Sequence, residues 1–407
     1  MTTHVLLALV IVLVASRALA AVFSWFKQPA VIGEIVAGIV IGPSVLGHFV
    51  KVIPDDAIAP LGVIAQIGIV LFMFLVGLEL DVSHLKQRTR ASIAISTASI
   101  AIPFALGLGL EGFLGARFGK PGVPHHVFAL FIAISMSITA FPVLARILSD
   151  RGMTRSPLGT LALACAAVGD VAAWCLLALV VSLAKAENPL SALRTVGLVV
   201  LFGAAMFGLA RPLLRRTIAK REPTPQVLAL VLAGLLGSAL VTEAIGVHAL
   251  FGAFVFGAII PHDSPLARAV LDKLTDFVVV LLLPAFFAFT GLRTNIGLLH
   301  GAEAWLVCGL VTLVATLGKF GGSFAAARLT GLGTREAASL GALMNTRGLV
   351  ELVALNVGYD LGIISETLFA MLVLMAVVTT FAATPVLQFL ERRARSREDE
   401  SAAHQEA

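Results

Sequence analysis

Residues 158–183 read LGTLALACAAVGDVAAWCLLALVVSL, an apolar segment long enough to cross a bilayer as a helix. Asp170 is the only acidic or basic residue in it. A charge at bilayer depth is costly, and such residues commonly mark ion or proton pathways. We therefore expect Asp170 to lie at the centre of a functional site whose other members come from other segments.

Two further apolar segments are interrupted by polar and helix-breaking residues. Residues 135–142 read SMSITAFP, and residues 345–348 read NTRG. The ends of a broken helix leave backbone groups without intrahelical partners, and these groups can coordinate a cation. Side-chain oxygens that suit a hard alkali cation are supplied by Ser135, Ser137, Thr139 and Asn345. Together with Asp170 they predict an ion-carrier site, because a proton and a cation can compete for one carboxylate.

The composition is that of a polytopic membrane protein. The chain of 407 residues is 58% hydrophobic and only 13% charged, and apolar segments recur along its whole length. The expected fold class is all-α. The first predicted span contains one charged residue, Arg17. Thirteen spans are predicted, at residues 4–25, 30–47, 58–80, 90–114, 126–148, 157–184, 193–213, 225–243, 247–260, 268–291, 303–327, 334–357 and 363–390.

Basic residues concentrate on alternate connections between these spans. The clusters within residues 86–90, 146–155, 211–221 and 392–397 all fall on one side of the membrane in this count. Because positively charged connections stay in the cytoplasm, that side is predicted to be cytoplasmic. The N-terminus then lies outside and the C-terminus in the cytoplasm.

Other function classes find little support. The glycines at 107, 109 and 112 fit the dinucleotide-binding pattern but lie within an apolar span, and there is no Walker A sequence, so no cofactor is predicted. The three cysteines are isolated and predict neither disulfides nor a metal site. The basic residues lie in short connections instead of on one face, so nucleic acid is not an expected partner.

A faint internal repeat relates the two halves of the chain. The interval of 39 residues between Gly38 and Gly77 recurs between Gly252 and Gly291. Equivalent spans are seven apart, so the two halves should have opposite orientations. Inverted repeats with broken helices at equivalent places are typical of secondary transporters that bind substrate near the membrane midplane.

Two basic residues are predicted at a similar depth to the acid. Lys319 lies among glycines that permit close helix approach, and we expect it to reach Asp170 or the carbonyls of the broken helices. Arg347 and Glu351 are four residues apart on one helical face, so they are expected to form a structural ion pair.

Four sequence blocks resemble the monovalent cation:proton antiporter-2 family. They are GEIVAGIVIGPSVLG at 33–47, FLVGLELD at 74–81, TAFPVLAR at 139–146 and MNTRG at 344–348. The blocks FFAFTGLR at 286–293 and NTRGLVE at 345–351 are most similar to the plant and bacterial cation/proton exchangers of that family.

The resemblance implies a sodium/proton antiporter fold of about thirteen helices with two crossed broken helices. By position, Asp170 matches the essential ion-binding aspartate, Thr139 the threonine of the first broken helix, and Lys319 the basic residue that compensates charge. The resemblance also implies a transmembrane unit at 1–390 followed by a short cytoplasmic tail at 391–407. Within the transmembrane unit it implies a transport domain, with spans near 58–184 and 268–390, and a dimerisation domain, with spans near 1–47 and 193–260.

The expected function is secondary exchange of sodium or potassium for a proton, by elevator-type alternating access in a homodimer of the bacterial inner membrane. Electrogenic members have two adjacent aspartates, whereas Gly169 precedes Asp170 here, which favours electroneutral exchange. The short tail leaves no room for a nucleotide-binding regulatory domain. The alternatives are a passive cation channel, or an electrogenic antiporter in which Lys319 is a second proton carrier. An enzymatic activity is not expected.

Overall fold

The computed structural model describes residues 2–79, 90–154, 156–185, 189–217 and 224–406. Side chains are described for these residues, apart from residues 48, 189–192 and 391–406, for which only the backbone is described. Residues 80 and 81 of the second family block, and the basic side chains of the tail, lie outside this description. Throughout the described residues the regular structure is helical, with one isolated β-bridge between Gly119 and Ile364.

The helices follow one another with short connections. Their bounds are α1 Thr2–Trp25, α2 Ala30–Ile41, α3 Asp55–Glu79, α4 Arg90–Phe118, α5 His125–Ser137, α6 Phe141–Asp150, α7 Pro157–Lys185, α8 Pro189–Ala205, α9 Arg211–Thr217, α10 Pro225–Ile245, α11 Ala249–Ile259, α12 Pro265–Phe277, α13 Leu283–Leu292, α14 Gly301–Thr316, α15 Gly322–Leu329, α16 Thr334–Met344, α17 Leu349–Asp360 and α18 Glu366–Glu406. Single π-helical turns at Met206–Ala210, Val278–Leu282 and Leu317–Gly321 join α8 to α9, α12 to α13 and α14 to α15.

The thirteen predicted spans all contain helix. In the described part of the chain, ten helical segments are long and apolar enough to cross a membrane. The other three predicted spans correspond to the short apolar helices α2 and α11 and to the broken pair α16 and α17. The expected class, an all-α integral membrane protein, is confirmed.

The chain divides into two compact units. The first comprises the described residues within Met1–Leu19, Glu34–Ser83 and Trp174–Asn295. It includes α3, α12 and α13, which the family resemblance placed in the transport domain, so the functional division into transport and dimerisation domains stays a prediction. One part of its core joins α1, α3 and α13 through small and aliphatic side chains such as Ala8, Leu61 and Ala288.

Glycines allow two symmetry-related helix contacts in the first unit. A Cβ atom at Gly77 of α3 would collide with the carbonyl oxygen of Phe254 in α11. A Cβ atom at Gly38 of α2 would likewise collide with the carbonyl of Ala288 in α13. Gly291 of α13 lies in the same contact, where its own Cβ atom would be 2.8 Å from Cα of Gly38. The repeat maps Gly77 onto Gly291, where a Cβ atom would collide with the carbonyl oxygen of Ile35 in α2. Gly252, the counterpart of Gly38, instead packs against the carbonyl of Ser238 in α10. The α3–α11 and α2–α13 contacts are therefore related through Gly77 and Gly291, where the absence of a side chain allows close helix approach.

Arg17, the charged residue inside α1, contacts the π-helical turn Val278–Leu282 that joins α12 to α13. Its Nη2 atom donates to the carbonyl oxygen of Val280 at 2.9 Å. A π-helical turn disturbs the regular backbone ladder, and here one of its carbonyls accepts this guanidinium. The guanidinium of Arg17 thus has a hydrogen-bond partner. A charged side chain without a partner would argue against a membrane span.

The second unit comprises the described residues within Ala20–Gly33, His84–Ala173 and Ile296–Ala407. Its core joins α4, α6, α7, α15 and α16 through buried residues that include Ile95, Leu144, Cys165, Ala327 and Leu340. Asp170, both broken helix pairs, Lys319 and the Arg347–Glu351 pair all belong to this unit. The candidate site therefore lies within a single compact unit.

Candidate ion-binding site

Two helices of the second unit are interrupted at the positions that the sequence indicated. Helix α5 ends at Ser137 and α6 begins at Phe141, where the ring of Pro142 occupies the first turn. Helix α16 ends at Met344, and α17 begins at Leu349.

The two breaks lie against each other. The amide of Ala140 donates to the carbonyl of Thr346 at 3.0 Å, and the hydroxyl of Thr139 donates to the carbonyl of Met344 at 3.2 Å. A Cβ atom at Gly348 would lie 2.7 Å from Cγ2 of Val143, so any other residue there would require Val143 to shift. Two crossed breaks thus bring four helix ends into one buried region.

The C-terminal end of α5 is held by two fully buried cations. The ammonium of Lys319 donates to the carbonyls of Ser137 and, at 2.8 Å, Ser99. The guanidinium of Arg347 donates to the carbonyls of Ser135 and, at 2.7 Å, Met136. The last three carbonyls of α5 therefore all accept from a cation, which also complements the negative end of the helix dipole. Of the two contacts considered for Lys319, the structure places it on the carbonyls.

Arg347 also forms the predicted pair with Glu351. Nη1 of Arg347 lies 2.9 Å from Oε2 of Glu351, and both side chains have no exposed surface. The other oxygen of Glu351, Oε1, has no hydrogen-bond partner among the described residues. The two opposite charges cancel within the core, so the pair adds no net charge to the site.

Asp170, on α7, is 5% exposed. Neither of its carboxylate oxygens has a hydrogen-bond partner of normal geometry within the described residues. Two groups stabilise the negative charge of the Asp170 carboxylate. They are the backbone amide of Phe141, at the N-terminus of α6, and the ammonium of Lys319. These two groups form no hydrogen bond of normal geometry with the carboxylate, so a proton or a cation is needed to offset its desolvation.

The four predicted neutral ligands differ in what their side chains do. The hydroxyl of Ser137 has two carbonyl acceptors, Ala133 in its own helix at 2.7 Å and Ile100 in α4 at 3.1 Å. Ser135 Oγ and Asn345 Oδ1 are buried and have no partner in the described part of the chain. Thr139 donates across the breaks, which leaves its oxygen lone pairs available to a cation. Whether these residues bind the ion stays a prediction.

Sequence reasoning missed one residue that contacts the site. The hydroxyl of Thr380, in α18, accepts from the amide of Arg347 at 2.9 Å and donates to the carbonyl of the same residue at 2.7 Å. The sequence carries no signal for this, because Thr379 precedes it in an apolar span and looks equivalent.

A buried carboxylate beside two crossed broken helices, with cations on the adjacent helix end, defines a secondary ion transporter of the antiporter fold. Residues 8–392 match the family described as "Sodium/hydrogen exchanger, transmembrane". The protein belongs to this family.

Relatives of the chain carry antiporter names. It is 41% identical to the Na(+)/H(+) antiporter NhaS4 of Synechocystis sp. over 95% of this chain and 97% of the relative. It is 40% identical to Cation/H(+) antiporter 19 of Arabidopsis thaliana over 96% of this chain and 50% of the relative, so it spans about half of that protein. The relationship expected from the sequence blocks is confirmed, and the names are those of transporters.

A solved structure shares the fold. The sodium proton antiporter MjNhaP1 of Methanocaldococcus jannaschii aligns with a TM-score of 0.71 and 17% identity, over 96% of this chain and 99% of that one. At this identity the likeness shows the architecture alone.

Proposed function

We propose that this protein exchanges one monovalent cation, sodium or potassium, for one proton, with Asp170 as the group that holds either ion. The observation that carries the proposal is the buried Asp170 carboxylate, neither of whose oxygens has a hydrogen-bond partner of normal geometry within the described residues. Thr139 and Asn345 are proposed to supply neutral oxygen ligands, with Ser135 and Ser137 as further candidates. The name of the Synechocystis relative supports sodium, and that of a 34% identical relative from Saccharomyces cerevisiae, K(+)/H(+) antiporter 1, supports potassium.

The exchange is proposed to be electroneutral. Arg347 and Glu351 neutralise each other, and Gly169 replaces any second acidic residue next to Asp170. With Lys319 charged throughout, the core has the same net charge when it carries one proton as when it carries one alkali cation. A membrane potential then does no work on the cycle.

An elevator-type cycle is part of the proposal. The helices that surround Asp170 are proposed to carry the bound ion, because the whole candidate site lies within one compact unit. A homodimer, an outside N-terminus and a location in the inner membrane of a bacterium remain part of this proposal.

The test is proton movement in sealed proteoliposomes that contain a pH-sensitive dye and an outward proton gradient. Addition of sodium or potassium should dissipate the gradient with the wild-type protein. Asp170→Asn should abolish this response while the protein stays folded, because it removes the titrating charge with little change in volume. Substantial exchange by this variant refutes the site, and cation leak without coupled proton movement indicates a channel.

A further inference from the structure

A threonine in the last membrane helix is bonded to the backbone at the break between α16 and α17. The Thr380 hydroxyl accepts from the Arg347 amide at 2.9 Å and donates to the Arg347 carbonyl at 2.7 Å. Thr380 is 2% exposed. One hydroxyl therefore serves both polar groups of a residue that lies outside either helix, where a buried backbone group without a partner is costly.

The bonded residue is the one whose side chain organises the other break. From this fixed backbone position the Arg347 guanidinium reaches the carbonyls of Ser135 and Met136 at the end of α5. A shift of the Arg347 backbone would move the guanidinium away from these carbonyls. The contact made by Thr380 is thus transmitted through one side chain to both broken helices.

The preceding residue gives a natural comparison. Thr379 is also 2% exposed, but its hydroxyl donates to Met375 at 2.8 Å and Ala376 at 3.2 Å, within its own helix. The two threonines have the same chemistry, the same burial and adjacent positions. They differ in whether the hydroxyl contacts the break.

We infer that Thr380 is a positioning residue for ion binding, which fixes the backbone of Arg347 and thereby the relative placement of the two breaks. The inference rests on the proposed function, since it assigns Thr380 a role in the same ion site. It acts through Arg347 and touches no transported ion.

The test compares three variants. Thr380→Val keeps the shape of the side chain and removes the hydroxyl, whereas Thr380→Ser keeps the hydroxyl. Thr379→Val is the matched control. Proton flux in proteoliposomes gives the apparent KM for sodium and for potassium and the maximal rate per folded protein. Thr380→Val should raise KM about three- to tenfold, the range expected for lost side-chain hydrogen bonds in a membrane. Thr380→Ser and Thr379→Val should keep the wild-type KM. A loss of folded protein alone would lower the total flux without changing KM or the maximal rate per folded protein.

A second measurement reads the contact without transport. Hydrogen–deuterium exchange of the peptide covering residues 343–349 should be faster in Thr380→Val than in Thr379→Val, because the Arg347 amide loses its acceptor. If Thr380→Val does not fold, Thr380→Cys, with a weaker donor, replaces it and should show a smaller rise in KM.

The outcomes separate this inference from the proposed function. If the wild-type protein exchanges cations and Asp170→Asn does not, but Thr380→Val has the KM and the deuterium uptake of Thr379→Val, the Thr380 inference is wrong and the function stands. The inference also fails if Thr380→Ser behaves like Thr380→Val, since volume would then matter more than the hydroxyl. If the wild type shows no exchange, the proposed function fails, and the deuterium uptake alone decides whether the contact holds the break.

Discussion

The Arg347–Glu351 pair is expected to be energetically asymmetric, and substitution of each partner by glutamine tests this. Both side chains are fully buried, and their ion pair spans 2.9 Å. Arg347 has further partners in Ser135 and Met136, whereas Glu351 has none for its second oxygen within the described residues. The arginine should therefore matter more to the stability of the folded protein than the glutamate does.

The contacts give the size of the difference. Arg347→Gln removes the guanidinium from two carbonyls and leaves the Glu351 carboxylate buried without a counter-ion, a change that costs about 3–5 kcal/mol. Glu351→Gln removes one charge, but Arg347 keeps both carbonyls at the negative end of α5. Weakening one charge-assisted hydrogen bond costs about 1.5–3 kcal/mol. The double variant should be more stable than Arg347→Gln alone, because it no longer contains the unpaired carboxylate.

Unfolding in mixed dodecyl maltoside and SDS micelles, followed by tryptophan fluorescence, measures these free energies. A matched control is Arg146→Gln, which breaks an exposed pair of the same spacing, Arg146 with Asp150 at 3.0 Å. Its cost should stay below about 0.5 kcal/mol. The reasoning is refuted if Glu351→Gln is as destabilising as Arg347→Gln, or if the double variant is less stable than both.

Two further predictions concern the ion. Thr139→Ala should weaken apparent cation affinity by about 1 kcal/mol without abolishing exchange at saturating salt. Ser137→Ala should change affinity less, because the Ser137 hydroxyl is directed at the carbonyls of Ala133 and Ile100. Equal effects in a flux titration would count against this distinction. Position 169 has room for a Cβ atom, which would meet no atom within 4 Å. A second carboxylate there, introduced as Gly169→Asp, should make exchange sensitive to a valinomycin-clamped potential, which is worth about 2.3 kcal/mol per charge per 100 mV. A voltage effect on the wild-type protein would instead contradict electroneutral exchange and point to Lys319 as a second proton carrier.

The main features of the fold follow from local sequence signals. Pro142 and Gly348 interrupt apolar segments, and a break in an otherwise apolar helix is visible because proline and glycine disfavour helix continuation whatever surrounds them. Asp170 is visible for a similar reason, since a single charge in an apolar segment stands out against its neighbours. These signals need no knowledge of which helices pack together.

The contacts of the site depend on helix rotation and packing, which local signals do not carry. Lys319 was expected to meet either Asp170 or backbone carbonyls, and the choice depends on the π-helical turn Leu317–Gly321 that contains it. Such a turn widens the helix locally and changes the direction of the side chains that follow, yet leaves hydropathy unchanged. Thr379 and Thr380 are indistinguishable in sequence, and the 100° rotation between adjacent helical residues decides which one contacts Arg347.

The two breaks are chemically unequal, although the repeat makes them equivalent in topology. The end of α5 presents its last carbonyls to Lys319 and Arg347, and two cations at that end repel any further cation. At the end of α16, the carbonyl of Met344 accepts from the neutral hydroxyl of Thr139, and the amide oxygen of Asn345 is unpartnered among the residues described. An alkali ion drawn to Asp170 should therefore take its neutral ligands from the α16 end and from Thr139. The two cations thus fix the end of α5, and the exchangeable oxygen ligands are expected from Thr139 in the first break and from the α16 end of the second.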